Sequence, residues 1–228
     1  MTTSSSQARI AGLLYLVPMF LGPFSMMYVP SAIVVAGDDA ATAANLVASS
    51  SLFRLGMVSD AVIVLSELAL TAVLYFLLRP VGETLALTAT FARLGMTVLQ
   101  AANLVPQLAA ITLVSTAAPT AMSWLRVHDL GVHVWEILFA LHCLLVGVLV
   151  FRSRFLPRVF GVLMGLASLG YGLNGLGNLV APGSAPVFAA IVGLTAVIGE
   201  VPLVLWLLIK GADEARWQAA HSGTAETA

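Results

Sequence analysis

Charged residues are scarce in this sequence. Asp, Glu, Lys and Arg make up 9% of its 228 residues, whereas about a quarter is usual in a soluble domain. Hydrophobic residues account for 60%, and the mean hydropathy is +1.00. So few charges could not cover the surface of a water-soluble fold, and the apolar stretches reach the roughly 18 residues that cross a bilayer. We therefore expect a single integral membrane domain over residues 1–228, with the lipid bilayer as its partner.

Missing residues and motifs exclude several functional classes. Lys210 is the single lysine and the net charge is −1, so no basic surface for nucleic acid is expected. The sequence contains neither the glycine-rich phosphate loop of ATPases nor the Gly-x-Ser-x-Gly turn of hydrolases. Cys143 is the single cysteine, which excludes an intrachain disulfide. A rhodopsin is disfavoured because Lys210 ends the last apolar stretch instead of lying in mid-membrane.

Six apolar stretches predict an all-α bundle of six transmembrane helices. A turn at residues 37–39 precedes an alanine-rich segment, which we expect to form a short interfacial helix in the first outer loop. Residues 117–126 are predicted to form a loop, Pro106 a kink, and residues 211–228 a polar cytoplasmic tail that is disordered at its end. The predicted spans cover residues 10–29, 52–78, 85–115, 128–151, 159–180 and 186–209.

The distribution of basic residues predicts the orientation. Seven of them fall on one side of the predicted topology, whereas Arg126 stands alone on the other. Cytoplasmic loops carry the excess of Lys and Arg, so we expect a multi-pass plasma-membrane protein with both termini in the cytoplasm. The seven are Arg9, Arg79, Arg152, Arg154, Arg158, Lys210 and Arg216.

The predicted span over residues 159–180 is rich in glycine and includes a Gly-x-x-x-Gly pair at Gly161 and Gly165. Small residues let transmembrane helices approach closely, so tight packing inside the bundle is the favoured interpretation. A homodimer formed through this helix is the alternative.

Polar residues recur inside the predicted spans, where each ionisable group costs roughly 2.5–3.5 kcal/mol on insertion scales. Asp60 and Glu67 are seven residues apart and share a helix face, as do Arg93 and Gln100. We predict a polar pocket that opens to the outside, and the whole candidate set comprises Arg54, Asp60, Glu67, Arg93, Gln100, Asn103, His133, Glu136, Asn174 and Glu200.

Three carboxyl groups, those of Glu67, Glu136 and Glu200, are expected to form the floor of this pocket. Arg93 is expected to pair with Glu67 or Glu200, and Arg54 with Asp60. One interpretation is structural, in which buried ion pairs and hydrogen bonds fix the fold.

The functional hypotheses begin with an integral membrane protein whose pocket binds a lipid or a small hydrophobic ligand. In a second, a buried protonated carboxyl group catalyses a reaction of a lipid or an isoprenoid, and whether the protein is an enzyme stays open. In a third, the protein is a proton-coupled carrier of a small solute.

No metal and no cofactor are expected. His133 and Glu136 follow the order His-x-x-Glu, the reverse of the Glu-x-x-His motif of di-iron bundles. The membrane histidines all lie on the fourth predicted span, so one subunit cannot clamp a haem from two sides.

Four stretches together resemble the bacterial family called domain of unknown function 4386. They are residues 37–45 (GDDAATAAN), residues 52–56 (LFRLG), residues 141–145 (LHCLL) with 152–153 and 155–158, and residues 199–200 with 207–211. The resemblance covers about residues 9–212. It implies a multi-pass membrane protein with no assigned reaction.

The resemblance also extends to single positions. His133 and Glu136 stand where apolar residues are more usual in the family, which leaves Arg54, Arg93 and Glu200 as the better candidates for a shared role. The matching positions are Arg54, Arg93, His142, Arg152, Pro157, Tyr171 and Glu200.

Overall fold

The computed structural model describes residues 3–225, which are helical over most of their length and contain no strand. The helices of this part are α1 (Ser4–Pro23), α2 (Val29–Ile33), α3 (Asp39–Ala48), α4 (Ser50–Leu78), α5 (Glu83–Ala102), α6 (Leu104–Leu113), α7 (Ala118–Ser153), α8 (Arg158–Val180), α9 (Ala185–Ile209) and α10 (Glu214–Ala225). A π-helical turn, Phe24–Tyr28, joins α1 to α2, and single 3-10 turns at Arg79–Val81 and Pro182–Ser184 follow α4 and precede α9.

Six helical segments are long and apolar enough to cross a membrane, which confirms the predicted multi-pass all-α bundle. They are Ser4–Ile33, Ser50–Val81, Glu83–Leu113, Ala118–Ser153, Arg158–Val180 and Pro182–Ile209.

The six spanning segments pack in a closed ring, in which each contacts the next along the chain and the last contacts the first. Helix α7 packs against α5, α6 and α8, and α8 packs against α9. Helix α1 packs against both α4 and α9, so the first and last spans are neighbours. One end of this bundle carries α3 and the other carries α10.

The predicted loop over residues 117–126 is wrong, because α7 already begins at Ala118. Pro119 lies in its first turn, where proline favours a helix start. Ala121 and Met122 are buried against apolar residues of α2 and α3, and this packing stabilises the additional turns.

The short helix predicted in the first loop is present as α3. Asp38 caps it, since its carboxylate accepts a 2.9 Å hydrogen bond from the backbone N–H of Ala41. One face of α3 packs into the bundle through Leu46. Its location at the membrane interface stays a prediction.

The third span is interrupted at Asn103, three residues before Pro106. Proline has no N–H to donate to the carbonyl four residues earlier, and its ring crowds that carbonyl. The helix therefore breaks into α5 and α6 in the turn before the predicted kink. The backbone and side-chain amide of Asn103 can then form hydrogen bonds to a neighbouring helix.

The predicted polar tail contains a further helix, α10, of which sequence analysis gave no sign. Trp217 donates a 2.9 Å hydrogen bond from Nε1 to the carbonyl of Leu77 at the end of α4. Glu214 accepts hydrogen bonds from the backbone and hydroxyl of Ser4 at 2.8 and 2.7 Å. These contacts hold α10 against the bundle. The disorder predicted at the end of the tail concerns residues 226–228, which lie outside the described residues.

Helix α8 uses one glycine of its Gly-x-x-x-Gly pair for close packing. A Cβ atom on Gly161 would lie 2.5 Å from the carbonyl oxygen of Gly147 and 2.7 Å from the backbone nitrogen of Phe151. A Cβ atom on Gly165 would have nothing within 4 Å. Close approach of α7 and α8 therefore depends on Gly161. The homodimer through this helix stays a prediction.

We predict that Gly161→Ala lowers the free energy of unfolding by roughly 1–3 kcal/mol, because two backbones would have to separate. Gly165→Ala is the matched control on the same helix and should change it by less than about 0.5 kcal/mol. Unfolding in bicelles measures both values. Equal effects of the two substitutions would contradict this assignment of the α7–α8 contact.

The docking of α10 should weaken in acid. Hydrogen bonds from Ser4, the largest contribution, and from Gln218 and Ser5 lower the pKa of Glu214 below its ordinary 4.5. The stabilisation is therefore present above the unfolded pKa and is lost as the pH falls through the lowered folded pKa. The protection factors of the α10 amides, which correct exchange rates for their intrinsic pH dependence, should fall over that range in the native protein. Glu214→Gln should exchange faster at neutral pH and lose the acid dependence, and an unchanged profile would refute this role.

Candidate functional site

A buried ion pair lies at the centre of the bundle. The guanidinium of Arg93 on α5 pairs with the carboxylate of Glu67 on α4. Their side chains are 1% and 5% exposed. An isolated charge at this depth would be strongly unfavourable, so each group requires the other. Of the two partners expected for Arg93, Glu67 or Glu200, the structure pairs it with Glu67.

His142 on α7 extends this pair. Its Nδ1 lies 2.9 Å from the carbonyl oxygen of Ala89, and its Nε2 lies 2.8 Å from an Arg93 nitrogen. A carbonyl only accepts and a guanidinium only donates, so Nδ1 carries the proton and Nε2 accepts. His142 is therefore a neutral imidazole that helps to orient Arg93.

Aromatic rings and a second carboxyl group complete this ion-pair cluster. Arg93 lies over the rings of Tyr15 and Phe139, at 5.1 and 5.9 Å from their centroids. Phe139 packs edge-on against Tyr171 at 4.7 Å, and the Tyr171 hydroxyl donates a 2.8 Å hydrogen bond to Glu200. Glu200 thus belongs to the cluster, although its hydrogen bond goes to tyrosine and not to arginine.

A cavity of about 480 Å³ lies at the α3 end of the bundle. Its walls combine apolar side chains of α2, α4 and α7 with polar ones, and it reaches the exposed loop before α3. We call it the α3-side cavity. Its polar and charged lining residues are Ser25, Asp39, Thr42, Asp60, Gln100, Asn103, Gln107, Arg126, His128, Asp129, His133 and Trp135.

The break in the third span builds one wall of this cavity. The Asn103 amide donates to the carbonyl of His128 at 2.9 Å, and the Asn103 carbonyl accepts from Nδ1 of His128 at 3.0 Å. Gln107 then donates to Nε2 of the same imidazole at 3.1 Å. Gly131 leaves room for this arrangement, because a Cβ atom there would overlap the Asn103 amide.

Three buried polar atoms of the α3-side cavity have no hydrogen-bond partner among the described residues. They are two acceptors, the side-chain oxygens of Gln100 and Gln107, and one donor, Nε1 of Trp135. A buried polar atom without a partner costs about 1–3 kcal/mol. The buried Asp60 carboxyl group faces the same space, with Ser25, Gln107 and His128 around it.

A hydrogen-bonded chain connects the cavity to α8. His133, which lines the cavity, lies 3.3 Å from Oε2 of Glu136, and the Asn174 amide donates to both Glu136 oxygens at 2.7 and 2.8 Å. Asn178 donates to the Asn174 side-chain oxygen at 3.0 Å. Glu136 is therefore held by the Asn174 amide beside the cavity and does not line it.

The candidate residues are thus divided among three places. Asp60, Gln100, Asn103 and His133 line the α3-side cavity, whereas Glu67, Arg93 and Glu200 form part of the ion-pair cluster. Glu136 and Asn174 connect α7 to α8.

Arg54 lies apart from all of these groups. Its side chain is exposed, and among the described residues it forms no ion pair with Asp60. Six helical residues rotate a side chain by 600°, which places Arg54 and Asp60 about 120° apart around α4. The expected Arg54–Asp60 pair is therefore wrong.

Tyr15, His142 and Gln107 are among the residues of these sites that were absent from the candidate set. Tyr15 could not be recognised from sequence, because a single hydroxyl group in the first apolar stretch does not form a repeating polar helix face. His142 and Gln107 had signals that were available from sequence: a histidine in the inner half of a span, and the third member of the Arg93–Gln100 stripe. Within the described residues, no group of three or more His, Cys, Asp or Glu side chains could hold a metal ion.

We predict that Glu67→Gln lowers the free energy of unfolding by about 3 kcal/mol, because Arg93 loses its counter-charge. Glu83→Gln, an exposed glutamate on α5, is the matched control and should have little effect. The double variant Glu67→Gln/Arg93→Gln should be destabilised by less than the sum of the two single variants, as measured by unfolding in bicelles. Additive losses would show that the two groups do not stabilise each other.

Comparisons with known proteins identify a family for this chain and assign it no reaction. An uncharacterised protein from the archaeon Archaeoglobus fulgidus is 29% identical over 154 residues, which cover 65% of this chain and 79% of that protein. No solved structure matches the chain significantly. The model of the family described as domain of unknown function 4386 matches residues 10–211, which is most of the chain. The chain therefore belongs to the DUF4386 family.

Proposed function

We propose that this protein binds a lipid or a small hydrophobic ligand with a polar end in the α3-side cavity. The observation that carries the proposal is the set of unpartnered buried atoms, the oxygens of Gln100 and Gln107 and Nε1 of Trp135, which face one space. A ligand that carries both a donor and an acceptor would satisfy them. The volume of about 480 Å³ falls within the range of about 300–1,000 Å³ typical of small-molecule sites.

The lining favours an amphipathic ligand. Val29, Ile33 and Phe53 contribute apolar surface, on which a hydrocarbon portion would pack. The polar end would lie against Asp60 and Gln107, where a hydroxyl or amine group could donate to the carboxylate. Size and polarity together favour a single hydrophobic molecule with a compact hydrogen-bonding head.

The distribution of basic residues supports a location and an orientation. The α10 end of the bundle carries Arg79, Arg152 and Arg158, whereas Arg126 lies at the α3 end, where it pairs with Asp39 at 3.0 Å. On the positive-inside rule, we propose that the protein lies in a bacterial plasma membrane with the α10 end and both termini on the cytoplasmic side. On this topology the α3-side cavity opens to the outside.

A proton-coupled carrier is the second candidate. Trp135 lines the α3-side cavity and stacks on Phe139, which contacts Arg93 of the ion-pair cluster. Beyond the cluster, a space of about 10 Å³ adjoins Arg93 and His142, enough for a single water. A large cavity on one side of a buried ion pair and a minimal one on the other is the arrangement of a carrier that is open to one side.

Acid catalysis of a lipid or isoprenoid reaction by Glu67, Glu136 or Glu200 has less support from the geometry. It requires a carboxyl group in contact with the substrate. The three carboxyl groups considered for this role are paired with Arg93, held by Asn174, or bonded to Tyr171, and none of them lines the α3-side cavity.

Gln100→Leu tests the ligand proposal directly. It removes a buried oxygen that has no protein partner, so the ligand-free protein should be at least as stable as the native one. Retention of a defined co-purifying lipid or small molecule, measured by mass spectrometry after reconstitution in one lipid mixture, should fall about tenfold. Asp60→Asn should also lower retention.

Arg54→Gln is the matched control, because Arg54 lies on α4 outside the cavity, and it should retain the same molecule as the native protein. An identical, bulk-like lipid profile in the native protein and all three variants would refute ligand binding. If ligand binding fails in this way while the native protein still shows pH-driven uptake in proteoliposomes, the carrier hypothesis is favoured.

A further inference from the structure

A second cavity, lined by arginines, lies at the opposite end of α7. It measures about 830 Å³ and is bounded by the α7–α8 turn, the Arg79–Val81 turn and α10. We call it the basic cleft. Its lining residues are Pro80, Val81, Arg152, Ser153, Arg154, Leu156, Pro157, Arg158, Arg216, Ala219 and Ala220.

The α7–α8 turn brings three of these arginines together. Arg154 adopts a left-handed conformation, with φ of 58° and ψ of −17°, which ends α7 and reverses the chain. Phe155 and Leu156 are buried and anchor the turn, so Arg152, Arg154 and Arg158 remain exposed around them.

Helix α10 contributes the fourth arginine and fixes its position. Arg216 donates to the carbonyl of Arg154 at 3.0 Å, across the cleft from α8. The neighbouring Trp217 is bonded to Leu77 on α4, so α10 cannot move away without breaking that contact. The cleft is therefore a formed space between fixed elements.

The positive charge of the cleft is largely uncompensated. Asp213 pairs with Arg216 at 3.4 Å, and it is the one carboxylate within 4 Å of the four arginines among the described residues. Arg158 instead stacks on the ring of Phe151 at 5.5 Å from its centroid. Four arginines against one carboxylate leave a formal charge of +3. The N-terminus of α8 adds a partial positive charge to the cleft, because the first turn of α8 has no acidic residue and no side-chain cap.

From this arrangement we infer that the basic cleft binds the phosphate-bearing headgroup of an anionic phospholipid. The cleft lies where two spanning segments end, Ala118–Ser153 and Arg158–Val180, which is the depth of lipid headgroups. Phe151, Val159 and Val162 next to it are 46%, 55% and 60% exposed and offer apolar surface to acyl chains. An arginine guanidinium group can donate two parallel hydrogen bonds to phosphate oxygens. Anionic lipids are abundant in cytoplasmic leaflets.

The test is a titration of the full-length protein with phosphatidylglycerol, with bound lipid counted by native mass spectrometry. The native protein should retain phosphatidylglycerol in preference to phosphatidylcholine. Arg152→Gln/Arg158→Gln should weaken this retention about tenfold or more, because each arginine near the headgroups contributes to attraction. Arg9→Gln/Lys210→Gln removes the same charge outside the cleft and should leave retention unchanged.

Arg154→Gly provides an independent variant that is not expected to disturb the fold, since glycine suits the left-handed conformation. It should also weaken retention, with an unchanged circular dichroism spectrum. Equal retention by the native protein and both cleft variants would overturn the proposal. Binding of inorganic phosphate without any preference among lipids would also overturn it, because the site would then serve a soluble anion.

Discussion

Burial of the Arg93 guanidinium in the middle of a membrane bundle determines which groups must surround it. Each of the six spanning segments contributes to that environment: Tyr15 from the first, Glu67 from the second, Arg93 itself from the third, His142 and Phe139 from the fourth, Tyr171 from the fifth and Glu200 from the sixth. Helix packing in lipid has no hydrophobic driving force of the usual kind. A central cation that needs a counter-charge, an acceptor and aromatic faces therefore specifies one arrangement of the six helices.

The two halves of the bundle differ in how completely their polar groups are paired. In the ion-pair cluster, Arg93 is paired with Glu67 and both His142 nitrogens have partners, so that Nε of Arg93 is the one donor of these three side chains that has none among the described residues. In the α3-side cavity, Gln100, Gln107 and Trp135 keep unpartnered atoms although Asn103 and His128 nearby are mutually bonded. Tight pairing is what a structural centre requires, whereas incomplete pairing around an open volume is what a binding site requires. The same helices therefore form a structural centre at one depth of the bundle and a candidate binding site at another.

Hydropathy sufficed to predict the number of spans and the all-α fold, because crossing a bilayer requires a minimum apolar length. Helix ends were predicted less well where tertiary contacts determine them. Met122 and Trp217 stabilise helical turns that composition alone indicated as loop and tail. Periodicity placed Asp60 and Glu67 on one face, but it carries no information on which neighbouring helix that face meets. For this reason the Arg93–Glu67 pair could be expected, whereas the separation into a cavity and a cluster, and the exclusion of Arg54, could not.

The contact between the first and last spans has a consequence for how the protein is made. Gly12 lies so close to α9 that a Cβ atom there would be 2.7 Å from Leu208, and Ser4 is bonded to Glu214 beyond the sixth span. Chains emerge from the ribosome N-terminal end first. Helix α1 is therefore inserted long before α9 exists, and the face of α1 that carries Gly12 stays unpacked until α9 is made. Assembly of the six spans ends when α9 meets α1, so a chain truncated before α9 would leave α1 with one side unpacked.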